Sequence, residues 1–292
     1  MIGEKGMLPS ATHLIDSDTA LYGVIGDPIR HSRSPLMLNR AFQAAGINAV
    51  YTAFHVTPDK LKDAIDGVRA LGMGGINVTI PHKENVMKLV DELDAGAKEI
   101  GAVNTIVNRD GRLIGYNTDG IGYVRSLKEE TNVKLEKSRI LVLGAGGAAR
   151  GVVYALTLEK PDRIYICNRT SERAERLAKD MSRFGDVSGM GNERMGDIMK
   201  EADIVINTTS VGMSPHTEQM PLDPDDLREG QLVSDLIYNP LTTRLLQEAE
   251  KRGCRIHGGL GMFVYQGAYA FEYWTGKEAP VQIMREVVEA SF

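Results

Sequence analysis

The sequence predicts an α/β protein of two domains: a substrate-binding domain on a mostly parallel sheet, followed by a Rossmann-type nucleotide-binding domain. The chain has 292 residues, which is long for one compact core. Short apolar runs typical of buried strands alternate with longer stretches that have helical periodicity. A charged segment at residues 131–138 interrupts this alternation, which then restarts. We therefore expect two successive α/β units.

Composition excludes several classes of protein. Apolar residues make up 42% and charged residues 25% of the chain, as in ordinary globular proteins. The formal net charge of −5 gives no electrostatic reason to expect nucleic acid or a membrane surface as a partner. Cys167 and Cys254 lie far apart without CxxC spacing, and the six histidines are scattered, so we predict no metal site. With no signal peptide or long apolar run, we expect a cytoplasmic protein.

The first domain is expected over residues 21–125, after a loose leader at 1–20. Strand patterns, in which short apolar runs are bounded by glycine or proline, occur at residues 21–26, 49–56, 76–80 and 103–109. Helical patterns follow them at residues 35–45, 59–71, 83–89 and 120–130. The regular alternation of the two predicts a largely parallel sheet.

The second domain is expected over residues 126–256, where the same alternation is stronger. Strands are predicted at residues 139–143, 163–167, 203–207 and 232–236, and helices at 148–157, 171–183 and 242–252. This is the plan of a doubly wound nucleotide-binding domain. Residues 257–292 contain two further helical patterns, at 262–274 and 281–290, without a strand of their own. We expect these helices to pack back on the first domain.

A glycine-rich turn directly follows the first strand of the second domain and opens a helix. Residues 144–149 match GxGxxA, and this context makes the match credible as a dinucleotide-binding fingerprint. Gly144 permits the tight turn, and Gly146 lets the backbone approach a pyrophosphate that the helix N-terminus would face. The cofactor contacts expected from this turn are Gly144, Ala145, Gly146, Gly147 and Ala148.

The end of the second strand in this domain predicts which dinucleotide binds. An NAD-specific fold would place Asp or Glu there, but this chain has Asn168-Arg169-Thr170, with Arg173 one turn into the next helix. Guanidinium groups and short polar side chains suit a 2′-phosphate, which predicts NADP. The alternative is that Thr170 or Ser171 caps the helix and the two arginines form an ordinary solvated face.

Three further segments have a composition that core packing does not explain: HSRSP at 31–35, NVTIPHK at 77–83 and NTDG at 117–120. With the glycine turn, Asn168–Thr170, NTTSVGM at 207–213 and GMFVYQGA at 261–268, they form an ordered set. In this set the chain resembles the shikimate dehydrogenases, over nearly its whole length from Leu21. The resemblance implies an NADP-dependent oxidoreductase that acts on a CH–OH group. It would interconvert 3-dehydroshikimate and shikimate in the chorismate pathway of aromatic amino acid biosynthesis.

The resemblance implies that Lys83 and Asp119 form the catalytic pair, and the chemistry requires such a pair. Reduction of a ketone by hydride leaves an alkoxide, so an acid must lie within hydrogen-bond reach of that oxygen. Lys83 stands near a predicted helix start, where the helix dipole should ease proton release. Asp119 would orient the amine of Lys83 and accept a hydrogen bond from a substrate hydroxyl. Taken singly, the two residues could equally be an exposed lysine and a turn aspartate.

The resemblance also implies a set of polar side chains that contact the substrate: Ser32, Ser34, Asn77, Thr79, Asn104, Tyr238 and Gln266. It adds Thr208, Gly259 and Met262 to the cofactor site. Ser32 and Ser34 would bind the substrate carboxylate, although Ser34 before Pro35 is also a good helix N-cap. The asparagines could instead satisfy buried backbone groups, and Tyr238 and Met262 could simply pack in the core.

Two other functions remain open at this point. A quinate/shikimate dehydrogenase would share the fold but commonly use NAD, with an acidic residue where this chain has Arg169 and Arg173. A non-catalytic shikimate-binding regulator would keep the fold without the activity, because fold alone does not prove chemistry. The presence of both Lys83 and Asp119 argues against the regulator. The partners expected are small molecules only, and the chain could be a monomer or a homodimer.

Overall fold

The computed structural model describes residues 15–292, and two six-stranded sheets organise it. The first half contains strands β1 (Ala20–Gly26), β2 (Ala49–His55), β3 (Gly75–Val78), β4 (Glu92–Leu93), β5 (Thr105–Arg109) and β6 (Arg112–Tyr116). Its helices are α1 (Ser34–Ala44), α2 (Leu61–Ala70), α3 (Ala95–Ile100) and α4 (Asp119–Thr131).

The second half contains strands β7 (Arg139–Leu143), β8 (Arg163–Asn168), β9 (Val187–Gly191), β10 (Ile204–Asn207), β11 (Leu232–Asp235) and β12 (Arg255–His257). Its helices are α5 (Gly147–Leu158), α6 (Ser171–Met181), α7 (Met195–Met199), α8 (Arg244–Lys251), α9 (Leu260–Thr275) and α10 (Val281–Glu289).

The first sheet has the strand order β2-β1-β3-β5-β6-β4. Three of its strand pairs are parallel, and β5 runs antiparallel to both β3 and β6. The predicted, mostly parallel sheet is confirmed, but the β5–β6 hairpin was not predicted. Its turn is Asp110-Gly111, with φ angles of 52° and 88°. An Asp-Gly pair between two strand patterns is a strong hairpin signal, so the sequence did contain the information.

The helix predicted at residues 83–89 is wrong. Only a short 3₁₀ helix at Asn85–Lys88 forms there. The carbonyl of Lys83 accepts a hydrogen bond of 2.8 Å from the N–H of Val103, which replaces the bond to residue 87 that an α-helix would need. The short elements β4, β9, β12, α3 and α7 were also missed, because periodicity cannot be read over so few residues.

The second sheet is entirely parallel, with the order β12-β11-β10-β7-β8-β9. The order reverses between β7 and β10, which is the point at which Rossmann-type sheets bind dinucleotides. Apolar side chains cover both faces of the sheet, as expected when helices flank parallel strands on each side. The Rossmann-type domain predicted from the sequence is confirmed.

The last two helices pack back on the first sheet, as predicted. Helix α9 lies along α4 and β5, and α10 packs on α1. Trp274 donates a hydrogen bond from Nε1 to the carbonyl of Ile106 at 3.0 Å, and Arg109 donates to the carbonyl of Tyr273 at 2.7 Å. The C-terminal segment is therefore part of the core of the first domain.

The precise limits of the domains stay predictions. The predicted limit at residue 125 falls inside α4, which continues without a break to Thr131. Residues 1–14 of the predicted leader lie outside the described residues. At its other end, Asp16 and Thr19 are hydrogen-bonded to Asn48, at 2.9 and 2.8 Å.

Within residues 15–292, no helix combines the length and the apolar character that a membrane crossing requires. The same residues contain no group of three or more His, Cys, Asp or Glu side chains placed to hold a metal ion.

Candidate active site

A cavity of about 500 Å³ lies between the two halves of the molecule. Its lining residues follow the carboxyl ends of β1, β3, β6, β7, β10 and β11, together with the start of β5 and one face of α9. Ligands bind at this edge of parallel sheets. All predicted catalytic and substrate-contacting residues line this cavity: Ser32, Ser34, Asn77, Thr79, Lys83, Asn104, Asp119, Tyr238 and Gln266.

Lys83 and Asp119 are in direct contact, with Nζ 2.6 Å from Oδ2. Their side chains are 30% and 15% exposed, so each is partly shielded but open to the cavity. Asp119 lies in the first turn of α4, where a carboxylate is stabilised. Lys83 does not begin a helix, so the predicted help from a helix dipole is wrong. Its closest charged neighbour is the carboxylate of Asp119.

Asn104 is held by the protein on every side. The backbone N–H of Thr118 donates to Oδ1 at 2.9 Å and is one of the donors that orient the amide. The Nδ2 group then donates to Thr118 Oγ1 and to Asp119 Oδ1, both at 2.9 Å. Asn104 therefore satisfies a buried backbone group, as the alternative proposed, and also orients Asp119.

Asn77 and Gln266 are also committed to protein partners. The Nδ2 group of Asn77 donates to the carbonyl of Asn104 at 3.1 Å and to Thr105 Oγ1 at 3.0 Å. Its Oδ1 accepts from the hydroxyl of Tyr51 at 2.7 Å and keeps one lone pair. Gln266 donates from Nε2 to the carbonyl of Phe263 at 2.8 Å, which leaves its Oε1 as an acceptor.

Ser32 and Ser34 mark the start of α1 at one end of the cavity. The N-cap role considered for Ser34 is wrong, because the helix begins at Ser34 itself and its side chain makes no capping hydrogen bond. Instead, the Ser34 N–H donates to Ser32 Oγ at 3.3 Å. The hydroxyl of Ser34 is therefore not used to start the helix.

Arg33, between these serines, was not predicted to matter. Its guanidinium donates to the carbonyl of Ser291 at 2.5 Å and lies 3.8 Å above the centroid of the Phe292 ring. The ring of Tyr238 contacts Phe292 at 6.3 Å and stacks on Phe263 at 4.8 Å. Burial raises the pKa of Tyr238, while the charge of Arg33 opposes this. The last residues of the chain thus support one wall of the cavity.

The glycine turn has the shape that a dinucleotide requires. Gly144 has a φ of 103°, and a Cβ there would lie 2.8 Å from Thr208 Oγ1. A Cβ on Gly146 or Gly147 would meet no described atom within 4 Å, so open space lies beside the N-terminus of α5. The N-cap residue Gly146 offers no side-chain hydrogen bond, which leaves the first N–H groups of α5 to a ligand. These residues fit a pyrophosphate.

The segment after β8 is open to solvent. Arg169 and Arg173 are exposed, and neither forms an ion pair within the part of the chain that the structure describes. Thr170 occupies the N-cap position of α6, but its hydroxyl makes no capping bond, so the capping role considered for Thr170 is wrong. Asn168 donates to the carbonyl of Thr170 at 2.9 Å. These side chains have donors to spare for a phosphate.

The predicted cofactor residues divide into two groups. Ala148, Gly259 and Met262 line the cavity, whereas the rest surround the glycine turn and the end of β8. A Cβ on Gly259 would lie 2.1 Å from the carbonyl of Leu236, so glycine lets α9 begin close to that turn. Sequence reasoning missed the mainly apolar residues of the lining, which look like core: Val24, Pro28, Ile29, Val78, Ile80, Met213, Leu236 and Phe263.

Asp235 was also missed, although it supports the turn that carries Tyr238. Its carboxylate accepts from Thr243 Oγ1 at 2.7 Å, from Asn207 Nδ2 at 3.0 Å and from the N–H of Ile237 at 3.1 Å. Burial raises the pKa of Asp235 to about 6, although these hydrogen bonds lower it. A buried carboxylate that accepts three hydrogen bonds can hold a loop in place, and this one holds the wall of the cavity.

Three family models match the chain in order. The "Shikimate dehydrogenase substrate binding domain" matches residues 24–106, the "Shikimate / quinate 5-dehydrogenase" model matches 126–220, and the "Shikimate 5'-dehydrogenase C-terminal domain" matches 259–289. The shikimate dehydrogenase (NADP(+)) of Geobacillus sp. (strain WCH70) is 56% identical to this chain, across 92% of it and 97% of the relative.

Solved structures show the same relationship. A shikimate dehydrogenase in complex with NADP⁺ is 45% identical, with a TM-score of 0.89 over 95% of this chain and 97% of its own. The shikimate 5-dehydrogenase of Listeria monocytogenes, in complex with shikimate and NAD, is 40% identical, with a TM-score of 0.89 over 94% and 98%. These similarities confirm the resemblance seen in the motifs. The chain belongs to the shikimate dehydrogenase family.

Proposed function

We propose that this protein is an NADP-dependent shikimate dehydrogenase, which reversibly reduces the ketone of 3-dehydroshikimate to the alcohol of shikimate. The observation that carries the proposal is the Lys83–Asp119 pair, at 2.6 Å, in a cavity that also receives Ala148 from the start of α5 and Met262 from α9. A proton donor and a dinucleotide-binding turn thus meet in one space. The NADP-linked names of the relatives support the same activity.

In this proposal the substrate lies in the cavity with its carboxylate at Ser32 and Ser34. These hydroxyls stand at the start of α1, where the positive end of the helix dipole also favours an anion. Thr79, Tyr238 and Gln266 bind the ring, each with a polar atom available at the cavity. Sites that hydrogen-bond substrate hydroxyls discriminate strongly against analogues that lack them.

Lys83 holds the proton that the reaction consumes. As the ketone is reduced, its oxygen becomes an alkoxide, and Lys83 donates a proton to it from Nζ. Asp119 fixes the position of that amine through Oδ2, while Asn104 fixes Asp119 through Oδ1. In the reverse direction Lys83 accepts the proton from the substrate hydroxyl, by microscopic reversibility.

Bound NADPH supplies the hydride that this chemistry needs. The backbone of residues 144–148 would hold its pyrophosphate, and Asn168, Arg169, Thr170 and Arg173 would hold its 2′-phosphate. Thr208 would contribute by supporting the turn, because its Oγ1 donates to the carbonyl of Leu143 at 2.7 Å. Arginine at this position, rather than an acidic residue, favours NADP over NAD.

The test is an absorbance assay of NADPH consumption with 3-dehydroshikimate, run beside NADH and beside NADP⁺ or NAD⁺ with shikimate or quinate. We expect the highest kcat/KM with NADPH and 3-dehydroshikimate. A preference for NAD⁺ and quinate would instead identify a quinate/shikimate dehydrogenase. Absence of turnover with every pair would contradict the enzyme and leave a binding protein.

We also propose a cytoplasmic location and action as a monomer or homodimer. The location is supported by the family and by Cys167 and Cys254, which are buried and not joined in a disulfide. Sedimentation of the purified protein would decide between the two oligomeric states.

A further inference from the structure

A line of buried polar side chains crosses one face of the first sheet. Tyr51 on β2 is in register with Tyr22 of β1, and Asn77 on β3 is in register with Val24 of the same strand. Thr105 on β5 stands directly opposite Asn77. Because side chains alternate along a strand, Tyr51, Asn77 and Thr105 lie on the same face.

Hydrogen bonds join these three side chains, and each is donated in the direction from Tyr51 toward Thr105. The hydroxyl of Tyr51 donates to Asn77 Oδ1 at 2.7 Å. Asn77 in turn donates from Nδ2 to Thr105 Oγ1 at 3.0 Å. Burial raises the pKa of Tyr51 well above its usual value, although the neighbouring hydroxyl of Ser34 lowers it, so Tyr51 keeps the proton that it donates.

The line continues into the catalytic pair. Thr105 donates its hydroxyl proton to Asn104 Oδ1 at 3.0 Å, beside the 2.9 Å bond from the N–H of Thr118. Two donors at Oδ1 force the Nδ2 group of Asn104 toward Asp119 Oδ1, at 2.9 Å. Asp119 is left with Oδ2 for Lys83.

Core packing does not explain the two hydroxyl groups. Tyr51 and Thr105 are 1% and 0% exposed, and neither lines the cavity. Phe and Val would fill the same volumes without requiring partners for a buried hydroxyl. What the hydroxyls add is a defined orientation for the amides of Asn77 and Asn104.

We propose that Tyr51 and Thr105 are positioning residues, whose hydroxyl groups fix Asp119, and through it Lys83, by way of the amides of Asn77 and Asn104. The expected effect on kcat rests on the proposed function. The expected effect on the positions of Asp119 and Lys83 is independent of it. Linked hydrogen bonds in a low-dielectric interior strengthen one another. Loss of one hydroxyl in the line should therefore alter the orientation of Asp119. Thr105 is nearer to Asp119 than Tyr51 and should matter more.

The kinetic test compares Thr105→Val, which removes the hydroxyl, with Thr105→Ser, which keeps it and removes only a methyl group. We expect kcat to fall about tenfold in Thr105→Val and to stay near wild type in Thr105→Ser, with a smaller change in KM for shikimate, as for the loss of one buried hydrogen bond. Equal losses of kcat in the two variants would overturn the proposal, because a purely structural defect would not depend on the hydroxyl.

Tyr51→Phe has a matched control in Tyr123→Phe. Tyr123 is also fully buried and donates to Ser234 Oγ at 2.9 Å, away from the line of side chains described above. Both variants lose one buried hydrogen bond, so their melting temperatures should fall alike. We expect kcat to fall about threefold in Tyr51→Phe and to be unchanged in Tyr123→Phe. A Tyr51→Phe enzyme with the kcat of Tyr123→Phe would contradict the role of Tyr51.

A second readout does not depend on turnover. In protein labelled with ¹³C at the lysine ε-carbons, the Lys83 signal can be assigned by its loss in Lys83→Arg. At fixed pH and without ligands, we expect this signal to move in Thr105→Val and Tyr51→Phe but not in Thr105→Ser or Tyr123→Phe. An unmoved signal in Thr105→Val would refute the positioning role. If the wild type fails to turn over any substrate, the proposed function fails, and this spectrum alone decides the inference.

Discussion

The proposed catalytic end and the proposed nucleotide end of this molecule differ in how far the protein itself supplies hydrogen-bond partners to their polar side chains. At the catalytic end, Lys83, Asp119 and Asn104 are already hydrogen-bonded to one another within the protein. At the nucleotide end, Arg169 and Arg173 are exposed and have no carboxylate partner among residues 15–292. In the proposed function, the proton donor is therefore held in position before substrate binds, whereas the phosphate site keeps donors free for its ligand.

Burial explains the difference. Asn104 and Asp119 are largely withdrawn from water, and a buried polar group without a partner is costly, so the protein must supply the partners itself. Exposed arginines are solvated by water, so leaving them without a protein partner until a phosphate binds costs little free energy. Preorganised groups are also what a chemical step requires, because they need no reorganisation at the moment of reaction.

The largest effect should come from Lys83→Met, which keeps an unbranched side chain of similar size but removes the proposed proton donor. We expect kcat to fall by about 10²- to 10⁴-fold, with KM for NADPH nearly unchanged. Lys88→Met, a change at an exposed lysine on the same segment, is the control and should leave kcat intact. A Lys83→Met enzyme with wild-type kcat would contradict the proposal that Lys83 donates the proton.

A second effect should appear in stability rather than activity, from two buried groups of the nucleotide half. Burial lowers the pKa of His257 to about 4, although Glu130 opposes this, and raises that of Asp235 to about 6. Between pH 6.5 and 4, His257 is protonated in the unfolded chain but still neutral in the folded protein. Lowering the pH over this range therefore destabilises the fold. Between pH 6 and 3.8, Asp235 is protonated in the folded protein but still ionised in the unfolded chain. Lowering the pH over this range therefore stabilises the fold through Asp235.

Each contribution amounts to about 3 kcal/mol, and in wild type they oppose each other. Relative to wild type, His257→Gln should therefore gain unfolding free energy as the pH falls from 6.5 to 4, and Asp235→Asn should lose it. Urea denaturation at several pH values measures both. Parallel pH profiles for all three proteins would show that these groups do not titrate as described. The opposite slopes would show that buried polar groups of this half act on stability.

The smallest of the three effects should come from Arg169→Ala at the nucleotide end. Loss of one charge-assisted hydrogen bond to phosphate should raise KM for NADPH by about tenfold or somewhat more, and leave KM for NADH unchanged. Arg176→Ala, at an exposed position in the second turn of α6, is the matched control. An equal rise in KM for both cofactors would mean that Arg169 does not recognise the 2′-phosphate.

Much of the fold could be predicted because its signals are local. The strand at Arg139–Leu143, the turn at Gly144 and the helix that follows are each visible in a few consecutive residues. The errors occur where tertiary contacts compete with local preference. Residues 83–89 have a helical pattern, yet the N–H of Val103, in the loop before β5, bonds to the carbonyl of Lys83.

Much of the site was predicted for another reason, namely that its residues occur in recognisable motifs. The residues missed lack such a signal, because a buried Tyr51, an apolar Leu236 or a hydrogen-bonded Asp235 is indistinguishable in sequence from ordinary core. Arg33 was missed because its partners, Ser291 and Phe292, are 258 residues or more away along the chain.

The sequence by itself determined the alternation of strands and helices, the dinucleotide turn and the residue types of the site, because these depend on neighbours along the chain. Only the tertiary structure decided how those residues are oriented. The direction of the Asn104 amide, and with it the position of Asp119 beside Lys83, depends on donors from β5 and from the start of α4. Hydrogen bonds between distant segments form only when the sheet brings those segments together.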